Sequence, residues 1–313
     1  MAPLRSLGNV LSSFRDFYAR TGTDASGAVS SGPSPISASG GNQTDSNGFT
    51  SGGYKYHVFT SSGALTVSSG NDEIEFLVVA GGGGGGWGNG GAGGAGGLRT
   101  NDPGVPSPIR ISDPVSLSPG PYTITVGDGG ASNDSPFSNR TGGNSSIGSL
   151  VVASGGGGGG PGSPDSVMDG GSGGGQQGSG AGDSIASPDG LTPTVQGSAG
   201  GTRDGGGGGG GASQTDAPRE TSPPYQPSSG AAGLNCPAFS SPIIHPNCPM
   251  PGNWQTYVGS NGMYAQGGWG YPNRGSSWNP GNAGVVNTGG GADADPSPST
   301  TGGKGIVIIR YPT

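Results

Sequence analysis

Long apolar runs are absent from this chain, and charge, sulfur and aromatic rings are scarce. No stretch approaches the roughly 20 apolar residues of a membrane-spanning helix, so membrane insertion is not expected. Residues 1–20 carry Arg5, Arg15 and Arg20 but no apolar segment of signal-peptide length, and the expected product is kept in a cytosol or leaves it without the general secretory route. Charged residues make up 10% of the chain and the formal net charge is -7. A nucleic-acid partner, which would want a basic stripe, is therefore not expected. Two cysteines are too few for a disulfide framework. Apolar residues, 28% of 313, cannot fill a large core, so any core should be thin and confined to short strands.

Glycine fills the space instead. There are 75 glycines and 28 prolines, a level at which low complexity or disorder becomes the default reading. No Gly-X-Y period runs through them, which excludes collagen. The low charge also fits disorder poorly, because disordered chains are usually kept soluble by charge.

The runs have a definite context. Ile74-Glu75-Phe76-Leu77-Val78-Val79-Ala80 feeds into Gly81–Gly86 and then into Gly90–Gly97. Leu150-Val151-Val152-Ala153-Ser154 feeds into Gly155–Gly160 in the same way, an internal echo, and a third run, Gly205–Gly211, follows a polar segment. A continuous β-branched run reads as a strand buried on both faces, so the first two runs each begin where a core strand leaves its sheet. Isolated polyglycine is a flexible linker, given the backbone entropy glycine loses on ordering. Linkers, however, need no strand at their entrance. The competing arrangement is an extended helix of three residues per turn, whose outward N–H and C=O groups are satisfied by parallel neighbours. Only residues without Cβ allow that approach.

Along the chain, Leu4, Leu7, Val10, Leu11, Phe14 and Phe17 fall at three- and four-residue spacing and predict a short amphipathic helix within residues 1–20. It either caps the core of its own domain or docks the subunit onto a larger assembly. Residues 21–53 read as a Ser/Gly tether, and residues 54–313 as the folded domain. Tyr54–Phe59 and Ala64–Val67 suggest a hairpin, Tyr122–Val126 a half-buried strand, and Gly305–Tyr311 a terminal buried strand.

A search for chemistry returns no catalytic constellation and no cofactor motif. His57 and His245 have no Ser or Cys partner at a familiar spacing, and Asp72, Glu73 and Glu75 read as a solvated face. Gly127-Asp128-Gly129-Gly130 lacks the lysine and helix of a phosphate loop. Cys236, His245 and Cys248 do not match a zinc finger. A Cys236–Cys248 disulfide closing a Pro-rich loop is the leading reading, with free thiols as the alternative. Trp254, Tyr257, Tyr264, Trp269, Tyr271 and Trp278 form an aromatic stretch interleaved with Gly and Asn. Two readings stand for it: a local mini-core anchoring a long loop, or a surface for glycan stacking or protein hot spots.

Tyr54–Thr60 followed by Gly63 and Leu65–Val67, then Phe76–Gly84, Pro119–Gly127, Gly143–Ser146 and Gly302–Tyr311, resemble in order the glycine-rich domain of structural proteins of tailed bacteriophages. The resemblance implies an all-β fold: a small jelly-roll-like β-sandwich whose loops are packed polyglycine II helices. It also implies a non-enzymatic virion protein, assembled in the host cytoplasm, most consistent with a tail-fibre or fibre-tip adhesin. Alternatives are a capsid decoration or neck/baseplate protein without receptor binding, or a bacterial extracellular matrix protein. The partners expected on this basis are other virion proteins through the N-terminal segment, a host-surface glycan or protein, and further copies of the chain, a trimer before other orders. No cofactor is expected.

Overall fold

A computed structural model describes residues 34–86, 90–107, 109–131, 140–160, 169–177, 180–203, 206–213, 229–270, 282–294 and 300–313. The helix expected in residues 1–20 lies outside them. Two sheets dominate. The first is built from β1 (Ser34–Ser39), β4 (Gly63–Glu73), β8 (Gly120–Thr125), β9 (Ser145–Ile147) and β10 (Val151–Ala153) in that order, with β7 (Ser116–Leu117) pairing the end of β4. The second has the order β2 (Phe49–Ser51), β3 (Tyr54–Phe59), β15 (Ile306–Pro312), β5 (Glu75–Val79) and β6 (Leu98–Thr100). Two small pairs complete the list: β11 (Gln176–Gln177) runs parallel to β12 (Thr202–Arg203), and β13 (Leu234–Asn235) antiparallel to β14 (Met263–Tyr264).

The chain is an all-β sandwich. Alternation along β5 and β15 places Phe76, Val78, Val307, Ile309 and Tyr311 in the core between the sheets, with Leu65, Ile124 and Ile147 from the opposite side. The other face of the same strands, Leu77, Val79, Ile306 and Ile308, packs against a cap that contains Phe239, Ile244, Trp254 and Tyr264. β5 and β15 are thus covered on both faces, which is why their sequences are continuously apolar. The cap carries the short helices Ser241–Ile244 and Gly252–Val258.

Two expectations change. Residues 34–53, expected to belong to the tether, are part of the fold, because Ile36 and Ala38 of β1 enter the core, β1 pairs β4 and β2 pairs β3, while residues 21–33 lie outside the described residues. The hairpin between Tyr54–Phe59 and Ala64–Val67 is not formed: β3 and β4 belong to different sheets, and residues 60–62 make the crossing. Cross-strand partners are chosen by which apolar face each run must bury, and sequence proximity does not settle that choice.

Beyond the sheets the glycine runs pack against one another. Along Gly81–Gly86 the amides donate over 2.7 to 2.9 Å to Gly143, Gly303, Gly94, Arg140, Thr300 and Gly91 in turn. Every third residue therefore meets the same neighbouring run: 81 and 84 the segment 140–143, 82 and 85 the segment 300–303, 83 and 86 the segment 91–94. Carbonyls of the same run accept from Gly156, Gly130, Ala292 and Gly159, which belong to three further segments. Gly91–Gly97 repeats the pattern. Its amides cycle through Gly160, Gly207 and Ala292, then Gly157, Gly210 and Gly289, and Gly97 closes on Ser154. The run after the polar segment, Gly206–Gly211, is part of the same lattice.

Cβ atoms are excluded by this spacing. One added at Gly83 would overlap the Gly157 carbonyl, at Gly93 that of Gly83, and at Gly209 that of Gly93. Ala95 is tolerated because its methyl group reaches the apolar cluster under the cap.

The junction of lattice and sheet is pinned by charge. Arg99 of β6 makes a two-pronged ion pair with Asp189 at 2.9 and 3.1 Å, both side chains fully buried, and also donates to the carbonyls of Leu191, Pro193 and Val195. Asp189 in turn accepts from the Val152 amide of β10.

His57 is fully buried in β3. Its Nδ1–H donates to the Gly40 carbonyl at 2.8 Å, leaving Nε2 to accept from the Tyr311 hydroxyl at 3.0 Å. The Tyr311 oxygen is itself bonded by the Ala38 backbone.

Two measurements follow. Gly83→Val or Gly93→Val should cost about 3 kcal/mol or more, since backbone must shift to admit the new atoms. Gly252→Ala, at a helix position where nothing lies within 4 Å, should be neutral or stabilising by up to about 1 kcal/mol. Equal urea midpoints for lattice variants and parent would mean that the runs are not close-packed.

Burial lowers the His57 pKa from its ordinary 6.5. The folded state then resists a proton that the unfolded chain accepts, so stability is full above about pH 6.5 and falls as the pH drops below it towards the folded value. The slope is at most about 1.4 kcal/mol per pH unit for one proton. Urea titrations between pH 7.5 and 5 should show this loss, and His57→Gln should flatten it.

Candidate functional site

The aromatic stretch divides between the interior and the surface. Helix Gly252–Val258 follows Pro251 and buries Trp254, whose Nε1–H donates to the Asn287 carbonyl at 3.0 Å. Tyr264 of β14 packs edge-on against that indole with centroids 6.4 Å apart, and donates to the Phe239 carbonyl at 2.7 Å. Both residues have 0% exposure and serve as the mini-core that fastens the cap to β15 and β5. Tyr257 packs against the same cluster. Burial pushes its hydroxyl well above the ordinary value, while bonds to Gln266 and Thr288 act the other way. Trp269 differs in being 49% exposed. Tyr271 and Trp278 lie outside the described residues.

A cleft of about 480 Å³ opens beside Trp269. It is lined by Asn253 and Tyr257 of the helix, by Gln266 and Trp269, by Asn282 and Val285, and by glycines of the lattice. Asp293 ties two of these segments together. Its Oδ1 accepts the Trp269 amide at 2.8 Å, and its Oδ2 accepts the Asn282 amide at 2.9 Å and the Asn282 side-chain amide at 3.1 Å. Backbone bonds from Asp293 to Asn282 and from Ala294 to Trp269 close the clasp. Sequence reasoning passed over Asp293, because an aspartate ending a glycine run looks like any solvated acid.

Register locates the cleft within the lattice. Gly81 lies beside the end of β5, and Gly86 is at the opposite end of its run. Gly84, Gly85 and Gly86 bond to Arg140, Thr300 and Gly91, so these segments reach the end remote from the sheets together. A Cβ on Gly85 would meet the Asp293 carbonyl, which puts Asp293 and its partner Trp269 at that same remote end.

The other candidates have structural partners. Glu75 pairs with Arg310, whose guanidinium lies 4.1 Å over the Tyr54 ring and also donates to the Tyr56 hydroxyl. Asp128 pairs with Lys304 at 3.3 Å. Gly127 and Gly130 belong to the lattice, bonding Gly305 and Gly82. Cys236 and Cys248 are free buried thiols, so the disulfide expected from the sequence is not formed here. Both sit in the apolar cluster under the cap, where burial pushes the Cys236 thiol far up and that of Cys248 to about 11. Among the described residues, no group of three His, Cys, Asp or Glu side chains could hold a metal ion, and no helix is long and apolar enough to cross a membrane.

Compared with known protein families, residues 59–312 match the one described as a glycine-rich domain. A search of curated proteins returns no match. The family match spans both sheets except β1, β2 and most of β3, together with the lattice and the cap.

Alanine substitutions should separate the two kinds of tryptophan. Trp254→Ala removes a buried ring and should cost about 3–5 kcal/mol. Trp269→Ala should stay within about 0.5 kcal/mol of the parent. Thermal or urea unfolding measures both, and a large loss at Trp269 would make it a packing residue.

Proposed function

This chain belongs to the glycine-rich domain family, and we propose that it serves as a non-enzymatic structural protein of a bacteriophage virion, as a tail-fibre or fibre-tip adhesin. We read the three-residue period of the glycine bonds as polyglycine II packing. The observation that carries the proposal is the lattice itself: a block of interbonded backbone that holds an exposed Trp269 at the end away from the sandwich. Such a block suits a rigid mount. Its backbone groups bond one another, and its position is fixed by strands entering from both sheets.

The ordered motifs that resemble phage structural proteins supply the virion context, and they extend through most of the described domain. In this reading residues 1–20 dock the domain to other virion proteins, and copies associate as a homo-oligomer, with a trimer the first order to test. The exposed end then faces the host surface.

Protein sequencing of purified particles should find the chain in the tail fraction. Deleting residues 1–20 should leave the domain folded and remove it from particles. Particles lacking the chain should assemble and adsorb to host cells about tenfold more slowly or worse, since a multivalent contact is lost. Recovery of the chain in the capsid fraction with normal adsorption by deletion particles would replace the adhesin role with decoration. Its absence from all particles would remove the virion role.

A further inference from the structure

The cleft beside Trp269 has the chemistry of a sugar site. Large apolar rings usually avoid water, and Trp269 is 49% exposed although the lattice behind it is buried. Its backbone is fixed on both sides, the N–H by Asp293 Oδ1 and the carbonyl by the Ala294 amide. The main chain that carries the ring is therefore in place at the cleft before any ligand arrives, which reduces the backbone ordering cost of binding. Asn253 and Gln266 also line the cleft, and the side-chain amide of neither has a hydrogen-bond partner among the described residues. Each offers one acceptor and two donor hydrogens in a plane. The lining glycines add no side chains, so a flat ligand can approach the backbone closely.

Charge narrows the ligand further. Among the described residues, Asp293 is the one ionisable acid or base lining the cleft besides the Tyr257 phenol, and its carboxylate oxygens are both engaged by donors. Among the described residues no cation lines it, so an acidic sugar or a phosphate would meet only negative charge from them. An extended peptide would want a free strand edge. Here the amides of Gly267, Gly284 and Gly291 are already bonded to Ala231, Thr301 and Gln266. The volume of about 480 Å³ falls in the roughly 300–1,000 Å³ range of small-ligand sites.

We propose that this cleft binds a neutral pyranose sugar, its C–H face stacked on the Trp269 indole and its hydroxyls bonded to the Asn253 and Gln266 amides. The binding chemistry stands on the cleft alone, while its role as host recognition rests on the adhesin reading above.

The test uses the purified full-length chain and saturation-transfer NMR with the methyl glycosides of glucose, galactose and mannose, with N-acetylglucosamine, and with sialic acid and glucose 6-phosphate as anionic probes. At least one neutral sugar should bind, with a dissociation constant on the order of 1 mM for a single ring. Trp269→Ala should weaken it about tenfold or more, Trp269→Tyr should retain most of it, and Asn253→Ala should weaken it without changing the melting temperature. The proposal is overturned if no neutral probe binds, if the anionic probes bind as well, or if Trp269→Ala and Asn253→Ala both fold and bind normally. Particle fractionation reads the virion assignment separately: sugar binding by a chain absent from particles would sink that assignment alone, and a virion chain that binds no sugar would sink only this inference.

Discussion

A peptide group removed from water needs a hydrogen-bond partner, and in a block made almost entirely of glycine that partner is in most cases another peptide group. This requirement organises the molecule. A sheet meets it with two neighbours per strand. The glycine runs meet it with more, because a turn of three residues points successive amides in three directions, as the partners of Gly81, Gly82 and Gly83 show. The entropy lost in ordering glycine is high, and the compensation is collective: no run is satisfied until the runs around it are in place. The sandwich supplies that alignment. β5 and β10 launch Gly81–Gly86 and Gly155–Gly160 from fixed points in the two sheets, and β15 receives the segment that ends at Gly305.

The same requirement separates what was legible in the sequence from what was not. The runs 74–80, 150–153 and 305–311 announced themselves because burial on both faces, or at a strand-to-glycine exit, leaves a continuous apolar signature. The half-buried strand ending at Val126 was visible through its alternation, and Ile124 and Val126 are indeed buried. The hairpin was misread because Tyr54–Phe59 and Ala64–Val67 are adjacent in sequence, while their apolar faces are divided between two sheets. β1 hid in a Ser/Gly-rich segment because two small inward contacts, Ile36 and Ala38, suffice at a sheet edge.

At the site, the aromatic stretch pointed to the correct region but could not say which rings face inward. Trp254 and Tyr264 lie ten residues apart on different elements, and only the fold shows that they meet. Trp269 faces outward because the chain after Tyr264 has entered the lattice, where a large side chain can project only from its boundary. Asp293 became meaningful only through its bonds to Trp269 and Asn282, which no spacing in the sequence announces.

The position of β15 has a kinetic side. It lies between β3 and β5, pairing Ile309 with both His57 and Phe76 across more than two hundred residues of chain. During synthesis β2 and β3 would emerge early, β5 and β6 soon after, and the sheet would keep an open seam until residues 306–312 appeared. Closing so long a loop is slow compared with local pairing. In that interval two apolar strand edges face solvent, a form prone to association with other chains. Glycine runs that have not yet found their neighbours remain soluble in the meantime, since their peptide groups can bond water. The order of synthesis thus leaves the glycine runs and the two open strand edges waiting together, and β15 acts as a latch that closes the seam between the sheet halves.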